Sequence, residues 1–256
     1  INYLGGTQMN ITGNTILITG GSAGIGLALA ERFLKENNTV IICGRNEQKL
    51  EEAKLKFPEI HTLVCDISKE EERISLYKKA VEEFPKLNVL INNAGIQQRI
   101  NLSKLQESWS YYQKEIATNL EAPIHLVTLF IPHLEKQKDA VIANVSSGLA
   151  FTPMAAAPVY CATKAAIHSF TMSLRYQLLE SGIKVIEIAP PAVSTDLGGP
   201  GLHVGMPSPE EFAEGVFKGL ENGDQEIGYG TSEARLRMSR DEIDAAVKAI
   251  NERVPY

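Results

Sequence analysis

Tyr160 and Lys164 are the pair of side chains in this sequence best suited to proton transfer. They are four residues apart at the start of a predicted helix, so both lie on one face of it. A free tyrosine titrates near pH ~10, but a lysine charge about 4 Å away contributes roughly 4 kcal/mol at an effective dielectric of about 20. Such a field could lower the pKa of Tyr160 by about 3, which would let the phenol donate a proton to a carbonyl oxygen or accept one from an alcohol.

Two serines, Ser146 and Ser147, follow the apolar run Ala140–Val145. This run predicts a strand, and open α/β sheets bind their ligands beyond the carboxyl ends of the strands. A serine hydroxyl at that place can hydrogen-bond a substrate oxygen and stabilise developing negative charge. We interpret one serine as a partner of Tyr160 and the other as a structural residue bonded to local backbone.

A glycine-rich turn joins the first predicted strand, Thr15–Thr19, to the first predicted helix. Gly20, Gly24 and Gly26 allow the backbone to turn tightly and to approach a pyrophosphate, which the N–H groups and positive dipole of the helix N-terminus would bind. The same letters also spell Gly-x-Ser-x-Gly, the turn that carries the nucleophile of serine hydrolases, here Ser22. A hydrolase is the remote alternative, because that turn normally follows a strand in the middle of the sheet.

Short β-rich runs alternate with longer segments of helical periodicity. The strand candidates are Thr15–Thr19, Thr39–Cys43, His61–Val64, Val89–Ile91, Ala140–Val145, Lys184–Ala189 and, more weakly, Gln225–Gly228. Their apolar character is typical of strands buried on both faces of a parallel sheet. Residues 9–256 thus predict an α/β fold, a single-domain doubly wound parallel sheet (Rossmann fold) of seven strands flanked by helices. A Gly- and Pro-rich segment without periodicity predicts a substrate loop at about 196–215.

Composition restricts the class of protein. Of 256 residues, 25 are Lys or Arg and 31 are Asp or Glu, a formal net charge of −6. This balance disfavours a general nucleic-acid or anionic-membrane binder. No apolar run reaches the roughly 18 residues that span a bilayer, and Cys and His show no metal-ligand spacing. We expect a cytoplasmic protein without a metal, in which residues 1–8, ahead of Met9, are an appended remnant.

Three motifs carry a resemblance to a known family. They are Thr19-Gly20-x-x-x-Gly24-Ile25-Gly26, Asn92-Asn93-Ala94-Gly95 and Tyr160-x-x-x-Lys164, in this order along the chain. With them the chain resembles the short-chain dehydrogenase/reductase family over essentially its whole length from Met9. The segment from Ile227 to Arg240 is also similar to bacterial DltE-type oxidoreductases. The resemblance implies hydride transfer between a nicotinamide dinucleotide and a carbonyl or secondary alcohol.

The resemblance also assigns the catalytic residues, which are Asn119, Ser147, Tyr160 and Lys164. Ser147 is chosen over Ser146 because it lies 13 residues before Tyr160, the spacing typical of the family. Tyr160 is then the general acid and base, Lys164 lowers its pKa and holds the ribose, and Ser147 polarises the carbonyl.

Asn119 lies in a predicted helix from about Ser110 to Leu134. Pro123, four residues later, has no N–H to donate to the carbonyl of Asn119. By resemblance, this free carbonyl holds a water that links Lys164 to solvent as a proton relay. A simple proline kink is the alternative.

NADP(H) is the predicted cofactor, and NAD(H) is the alternative. NAD-preferring enzymes usually place Asp or Glu at the end of the second strand to bind the ribose hydroxyls, where this chain has Gly44. Arg45 could donate two parallel hydrogen bonds to a 2′-phosphate, unless it is a solvated residue opening the next helix. Ala23 departs from the basic residue that many NADP-dependent relatives carry there.

The resemblance places further residues around the cofactor. Asp66 and Ile67 would meet the adenine, although Asp66 could simply cap the following helix. Val193 and Thr195 would bind the carboxamide, although Thr195 could cap the loop, and Pro191 stands where the family usually has Gly. The full predicted set is Gly20, Ser22, Ala23, Gly24, Ile25, Gly26, Arg45, Asp66, Ile67, Asn93, Ala94, Gly95, Tyr160, Lys164, Pro190, Val193 and Thr195.

The substrate is predicted to be a small carbonyl compound or alcohol in a partly apolar pocket. The residues expected to contact it are Gln97, Ser147, Phe151, Met154, Tyr160, His203 and Met206. His168 is interpreted as a packing residue. Relatives commonly assemble through the two long helices, which implies a homodimer or homotetramer. The alternative function is an NADP(H)-binding sensor without turnover, which would not require Ser147, Tyr160 and Lys164 together.

Overall fold

The structure is a computed structural model that describes residues 8–104 and 107–254. Residues 1–7, most of the predicted remnant, lie outside the described residues. The strands are β1 (Thr15–Thr19), β2 (Thr39–Gly44), β3 (His61–Val64), β4 (Val89–Asn92), β5 (Val141–Val145), β6 (Lys184–Ala189) and β7 (Glu226–Gly228). The helices are α1 (Gly24–Lys35), α2 (Glu47–Lys56), α3 (Glu70–Glu83), α4 (Trp109–Ile116), α5 (Ala122–Leu134), α6 (Pro158–Gln177), α7 (Pro209–Asn222), α8 (Thr231–Leu236) and α9 (Arg240–Arg253).

The described strands form one parallel sheet in the order β3-β2-β1-β4-β5-β6-β7. The direction of winding reverses between β1 and β4, where doubly wound sheets open a crevice beyond the strand ends. Helices cover both faces. The predicted fold class is therefore confirmed, and strand bounds differ from the predicted ones by at most one residue.

The alternation of side chains along β1 shows why helices pack on both faces. Ile16 and Ile18 point into a core with Phe33 of α1 and Phe217 of α7, whose ring centroids are 4.6 Å apart. Leu17 points the other way, into a core formed with α3, α5 and α6. Burial on both faces explains why the central strands lack polar alternation.

Strand β3 is the exception to the prediction that strands are buried on both faces. It ends the sheet and pairs with β2 alone. Its side chains are exposed or half-buried, and Val64 is 58% exposed. The helices that cover the central strands leave this edge open, so an apolar sequence is not sufficient for burial here.

The predicted helix from Ser110 to Leu134 contains a π-helical turn, Ala117–Glu121, between α4 and α5. In this turn the backbone N–H of Ala122 donates to the carbonyl of Ala117, five residues back. The widened turn ends two residues before Pro123. In an ordinary α-helix the ring of Pro123 would clash with the carbonyl of the residue four positions earlier, and it has no N–H to donate to that carbonyl. The proline is thus accommodated by a π turn, which the sequence analysis did not predict.

Residues 196–208 are irregular, whereas the second part of the predicted substrate loop is the start of α7. Ser208 ends the loop with a capping box, in which its Oγ accepts from the N–H of Glu211 and the Glu211 carboxylate accepts from the N–H of Ser208. This Ser-Pro-x-Glu pattern marks a helix start in the sequence itself. Within the described ranges, no helix combines the length and the apolar character needed to cross a membrane.

Candidate active site

A cavity of about 1240 Å³ lies beyond the carboxyl ends of the central strands. Every residue predicted to bind the cofactor contributes to its wall. The wall also contains the predicted substrate residues Gln97, Ser147, Met154, Tyr160, His203 and Met206. Phe151 is outside this wall, and its ring packs edge-on against His168 at 4.6 Å between centroids.

Ser147, Tyr160 and Lys164 meet at one place in this cavity. Ser147 directly follows β5, while the other two lie one turn apart near the start of α6. The Ser147 hydroxyl lies close enough to the phenol of Tyr160 to lower its pKa. The Nζ of Lys164 lies 5.7 Å from the centre of the Tyr160 ring and donates to the carbonyl of Val145 at 2.8 Å. The strand end thus holds the ammonium group beside the phenol.

Burial has the largest effect on the pKa values of Tyr160 and Lys164. It raises the pKa of Tyr160 above its ordinary value, although the nearby hydroxyl of Ser147 opposes the rise. This direction is opposite to the one predicted from the spacing of Tyr160 and Lys164, because the sequence does not show that both are buried. Burial also lowers the pKa of Lys164 to about 8, against the charge of Glu115, which raises it.

Asn119 lies behind the cavity wall and is 1% exposed. Its Oδ1 accepts from the N–H of Ile96 at 2.9 Å, and its Nδ2 donates to the carbonyl of the same residue at 2.8 Å. Nδ2 also lies 3.2 Å from Oγ1 of Thr163 on α6. The side chain therefore ties the segment after β4 to the helix that carries Tyr160, a role that the sequence analysis, concerned with the carbonyl, did not foresee.

The glycine turn fits a pyrophosphate. Ala23, the residue before α1, makes no side-chain cap, and the first turn of α1 has no acidic residue, so its N–H groups are left for a ligand. A Cβ on Gly26 would lie 2.4 Å from the carbonyl oxygen of Gly20, so this close packing requires glycine. Gly20 itself has a φ of +66°.

Asn93 and Thr19 join this turn to the end of β4. The Nδ2 of Asn93 donates to the carbonyl of Thr19 at 2.9 Å. In return, Oγ1 of Thr19 accepts from the N–H groups of Asn93 and Ala94, both at 3.0 Å. Two of the sequence motifs thus form one hydrogen-bonded unit at the crevice between β1 and β4.

The opposite end of the cavity contains Arg45 and Asp66. Helix α2 is capped by Asn46, whose Oδ1 accepts from the N–H of Lys49 at 3.0 Å, so Arg45 does not serve as the cap. The side chain of Arg45 is exposed. Asp66 accepts from the N–H and hydroxyl of Ser68 at 3.1 and 2.7 Å. Burial would raise the pKa of Asp66, but these hydrogen bonds lower it below its ordinary value.

A buried polar group next to the site was not predicted. Oγ of Ser146 donates to Oε1 of Glu187 at 2.5 Å, a carboxylate bond rather than the local backbone bond expected for this serine. Oε2 of Glu187 lies 2.7 Å from Nδ1 of His168, which is therefore an ion-pair partner as well as a packing residue. The signal in the sequence is a carboxylate inside the otherwise apolar β6.

Glu115 was also missed. It is fully buried on α4, one turn before Asn119, and its Oε1 accepts from the N–H of Gln98 at 2.9 Å. Its Oε2 is buried and has no hydrogen-bond partner among the described residues. Burial raises the pKa of Glu115 to about 7, while the hydrogen bond from Gln98 and the charge of Lys164 oppose the rise.

Among the hydrogen bonds of the described residues, none joins Ser22 to a histidine, the base that a hydrolytic nucleophile would need. The five histidines, His61, His125, His133, His168 and His203, instead contact Phe84, Arg73, Leu87, Glu187 and Thr195 respectively. The described part of the chain also contains no group of three or more Asp, Glu, Cys or His side chains placed to hold a metal ion.

Comparison with known proteins agrees with this geometry. The family model described as short chain dehydrogenase matches residues 14–201. The chain is 48% identical over 248 residues to the uncharacterized oxidoreductase DltE of Bacillus subtilis (strain 168), covering 95% of this chain and 98% of that one.

Two solved structures share the fold. A short-chain dehydrogenase from Sphingobium yanoikuyae, in complex with NADPH, superposes with a TM-score of 0.78 at 22% identity, over 94% of this chain and 96% of that one. The 3-ketoacyl-(acyl-carrier-protein) reductase from Brucella melitensis, complexed with NADH, gives a TM-score of 0.78 at 26% identity, over 87% of this chain and 100% of that one. The chain therefore belongs to the short-chain dehydrogenase family of oxidoreductases, as a DltE-type member.

Proposed function

We propose that the protein transfers a hydride between NADP(H) and a carbonyl or secondary alcohol, with Tyr160 as general acid and base. The observation that carries this proposal is the meeting of the Ser147 hydroxyl, the Tyr160 phenol and the Lys164 ammonium in the cavity that also contains the glycine turn. A nucleotide sensor would need the turn but not this trio.

The dinucleotide, when bound, supplies or accepts the hydride. Tyr160 gives its proton to the carbonyl oxygen in reduction and takes it back in oxidation. The Ser147 hydroxyl binds the same oxygen and stabilises its developing charge. Lys164, held by the Val145 carbonyl, stabilises the phenolate by its positive charge and binds the ribose. A proton relay through the carbonyl of Asn119 stays a prediction.

The preference for NADP(H) is proposed from the end of β2. Gly44 offers no carboxylate that would repel a 2′-phosphate, and Arg45 is exposed in the cavity wall beside it. Replacing Arg45 by Gln should raise KM for NADPH about tenfold, the effect of losing one charge-assisted hydrogen bond, and leave KM for NADH unchanged. Equal effects on both cofactors would contradict the assignment.

Tyr160→Phe tests the catalytic proposal, because it removes the hydroxyl and keeps the ring. A panel of ketones, aldehydes and secondary alcohols with both cofactors identifies a turnover assay. We expect the variant to lose at least about 100-fold in kcat while NADPH still binds, as measured by its fluorescence. Near-normal turnover by Tyr160→Phe would refute the role, and binding of NADPH by the wild type without any turnover would favour the sensor.

Assembly through α4, α5 and α6 is proposed as well. Trp109 on α4 and Met172 and Tyr176 on α6 are exposed apolar side chains, between 42% and 67% accessible. Light scattering coupled to size-exclusion chromatography would give the mass, and a monomer at micromolar concentration would contradict this proposal.

A further inference from the structure

Arg235 is a half-buried arginine in the wall of the active-site cavity. It lies on α8, and a Cβ placed on Gly148 would be 3.1 Å from its Nη1 atom. Gly148 directly follows Ser147, and consecutive Cα atoms are only about 3.8 Å apart. The guanidinium group therefore packs against the residue next to Ser147, in space that the missing side chain at position 148 leaves free.

The position of Arg235 is fixed by the backbone of α8. Ser232 is fully buried, and its Oγ donates to the carbonyl of Ala189 at the end of β6 at 2.5 Å. The carboxylate of Glu233 accepts from the N–H of Gly228 at 3.1 Å. These contacts hold the short helix against the sheet without involving the charge of Arg235.

Arg235 has no anionic partner within residues 8–104 and 107–254. Its neighbour Arg237 contrasts with it, because that side chain is 61% exposed and pairs with Glu226 at 3.8 Å. Burial alone lowers the pKa of Arg235, and no carboxylate opposes the shift. A charge withdrawn from water without a counter-charge is costly, and a bound anion would remove that cost.

The charge of the cavity favours the same ligand. Its wall contains five cationic side chains, Arg45, Lys49, Arg99, Lys164 and Arg235, against two carboxylates, Asp66 and Asp196. This excess stands out in a protein of net charge −6 and would concentrate anions in the cleft. Arg45 and Lys49 lie at the cofactor end and Lys164 belongs to the trio, which leaves Arg99 at the exposed rim and Arg235 inside.

Part of the cavity wall is apolar. It contains Leu149, Met154, Ile250 and Val254, which pack in one cluster with Tyr160. The same cavity therefore offers a ligand a proton donor at Tyr160, hydrocarbon beside it and a cation at Arg235.

On the basis of the hydride-transfer function proposed above, we infer that the substrate is an anion: a carbonyl compound or secondary alcohol whose carboxylate or phosphate binds Arg235 while its oxygen binds Ser147 and Tyr160. The planar guanidinium group donates two parallel hydrogen bonds to such an oxyanion. Because Arg235 packs on the residue next to Ser147, we expect a short carbon chain between the two ends of the substrate, in contact with the apolar wall.

The test compares matched charged and neutral substrates with NADPH. Acetoacetate and levulinate are compared with their methyl esters, and dihydroxyacetone phosphate with dihydroxyacetone. The wild type should prefer at least one anion over its neutral counterpart by about 10- to 100-fold in kcat/KM. In Arg235→Met this ratio should fall to about one through a higher KM, whereas Arg237→Met, the matched control, keeps it. The substrate pair that shows this preference indicates whether the anionic group is a carboxylate or a phosphate.

Equal use of charged and neutral substrates by the wild type, or an equal loss for both in Arg235→Met, would overturn the inference and leave the proposed reaction intact. If no substrate is turned over, calorimetric titration with levulinate and dihydroxyacetone phosphate decides. Binding that is lost in Arg235→Met but kept in Arg237→Met would support the anion site, and the absence of turnover would contradict the proposed reaction. A wild type that binds neither anion would overturn the inference.

Discussion

Two buried carboxylates interact with residues of α6, and their surroundings differ. Glu187, on β6, has both oxygens bound, one by Ser146 and one by His168. Glu115, on α4, has one oxygen bound by the N–H of Gln98 and the other without a partner among the described residues. Both side chains are fully buried.

The difference separates a carboxylate with both oxygens bonded from one with a single bonded oxygen. A buried charge is tolerated when hydrogen bonds and an opposite charge compensate it, as they do for Glu187. For Glu115, burial outweighs the one hydrogen bond from Gln98 and the charge of Lys164, so its pKa rises to about 7, into the range where its charge changes near neutrality. Its charge also acts on Tyr160, Cys161 and Lys164 of α6 and on Tyr111 of α4.

Replacing each carboxylate by leucine should give the largest difference in stability between the two sites. Glu187→Leu leaves His168 and Ser146 without their partner, so we expect a loss of about 3 kcal/mol in the free energy of unfolding. Glu115→Leu leaves only the N–H of Gln98 unbonded while it removes an unpaired carboxylate, for a loss of about 1 kcal/mol. Urea denaturation at pH 7 measures both, and equal losses would contradict the distinction.

Ser146→Ala should have the next largest effect. It removes one hydrogen bond to a buried carboxylate, for a loss of about 1.5 kcal/mol in the free energy of unfolding. Turnover should stay within about twofold of the wild type, because the hydroxyl of Ser146 points to Glu187 and not into the trio. Ser147→Ala is the matched neighbour and should abolish most turnover. Similar kinetic losses in both variants would show that Glu187 belongs to the catalytic group.

The variant Glu115→Gln tests the titration of Glu115 through the pH dependence of the reaction rate. Glu115 is protonated below its pKa of about 7 and charged above it, and this charge raises the pKa of Lys164, which is about 8. Without it, Lys164 should lose its proton at lower pH. We expect reduction by the variant to equal that of the wild type at pH 6 and to be about threefold slower at pH 8.

The pH profile of kcat/KM for carbonyl reduction measures this shift. Lys164→Arg, which stays charged throughout the range, should lose the high-pH limb if Lys164 causes it. An unchanged limb in Glu115→Gln would show that Glu115 does not influence Lys164.

The sheet and the trio could be predicted because they depend on local patterns. Apolar runs separated by helical periodicity give a parallel sheet, and the spacing of Tyr160 and Lys164 places both on one helix face. The π turn before Pro123 could not be predicted, since proline indicates a disrupted helix without indicating its form.

The buried carboxylates and Arg235 could not be placed because their partners lie far away in sequence. Glu187 meets Ser146 across 41 residues, and Arg235 meets Gly148 across the sheet. The predicted direction of the shift in the pKa of Tyr160 was wrong for a related reason. Spacing gives the distance to a charge, whereas burial depends on every element packed around the side chain.

His168→Gln gives the smallest expected effect. Glutamine can still donate a hydrogen bond to Glu187, so the variant removes the charge and keeps the bond. The hydrogen bond with Glu187 raises the pKa of His168 above its ordinary value, although burial opposes the rise. The ion pair therefore stabilises the fold fully below the ordinary pKa of about 6.5, and the gain is lost as pH rises through the raised value. Because His168 is 25% exposed, solvent screens the pair, and the gain should be about 0.5 kcal/mol. Urea denaturation of both proteins should show this difference at pH 6 and none at pH 9, and the same difference at both values would mean that the pair is not charged.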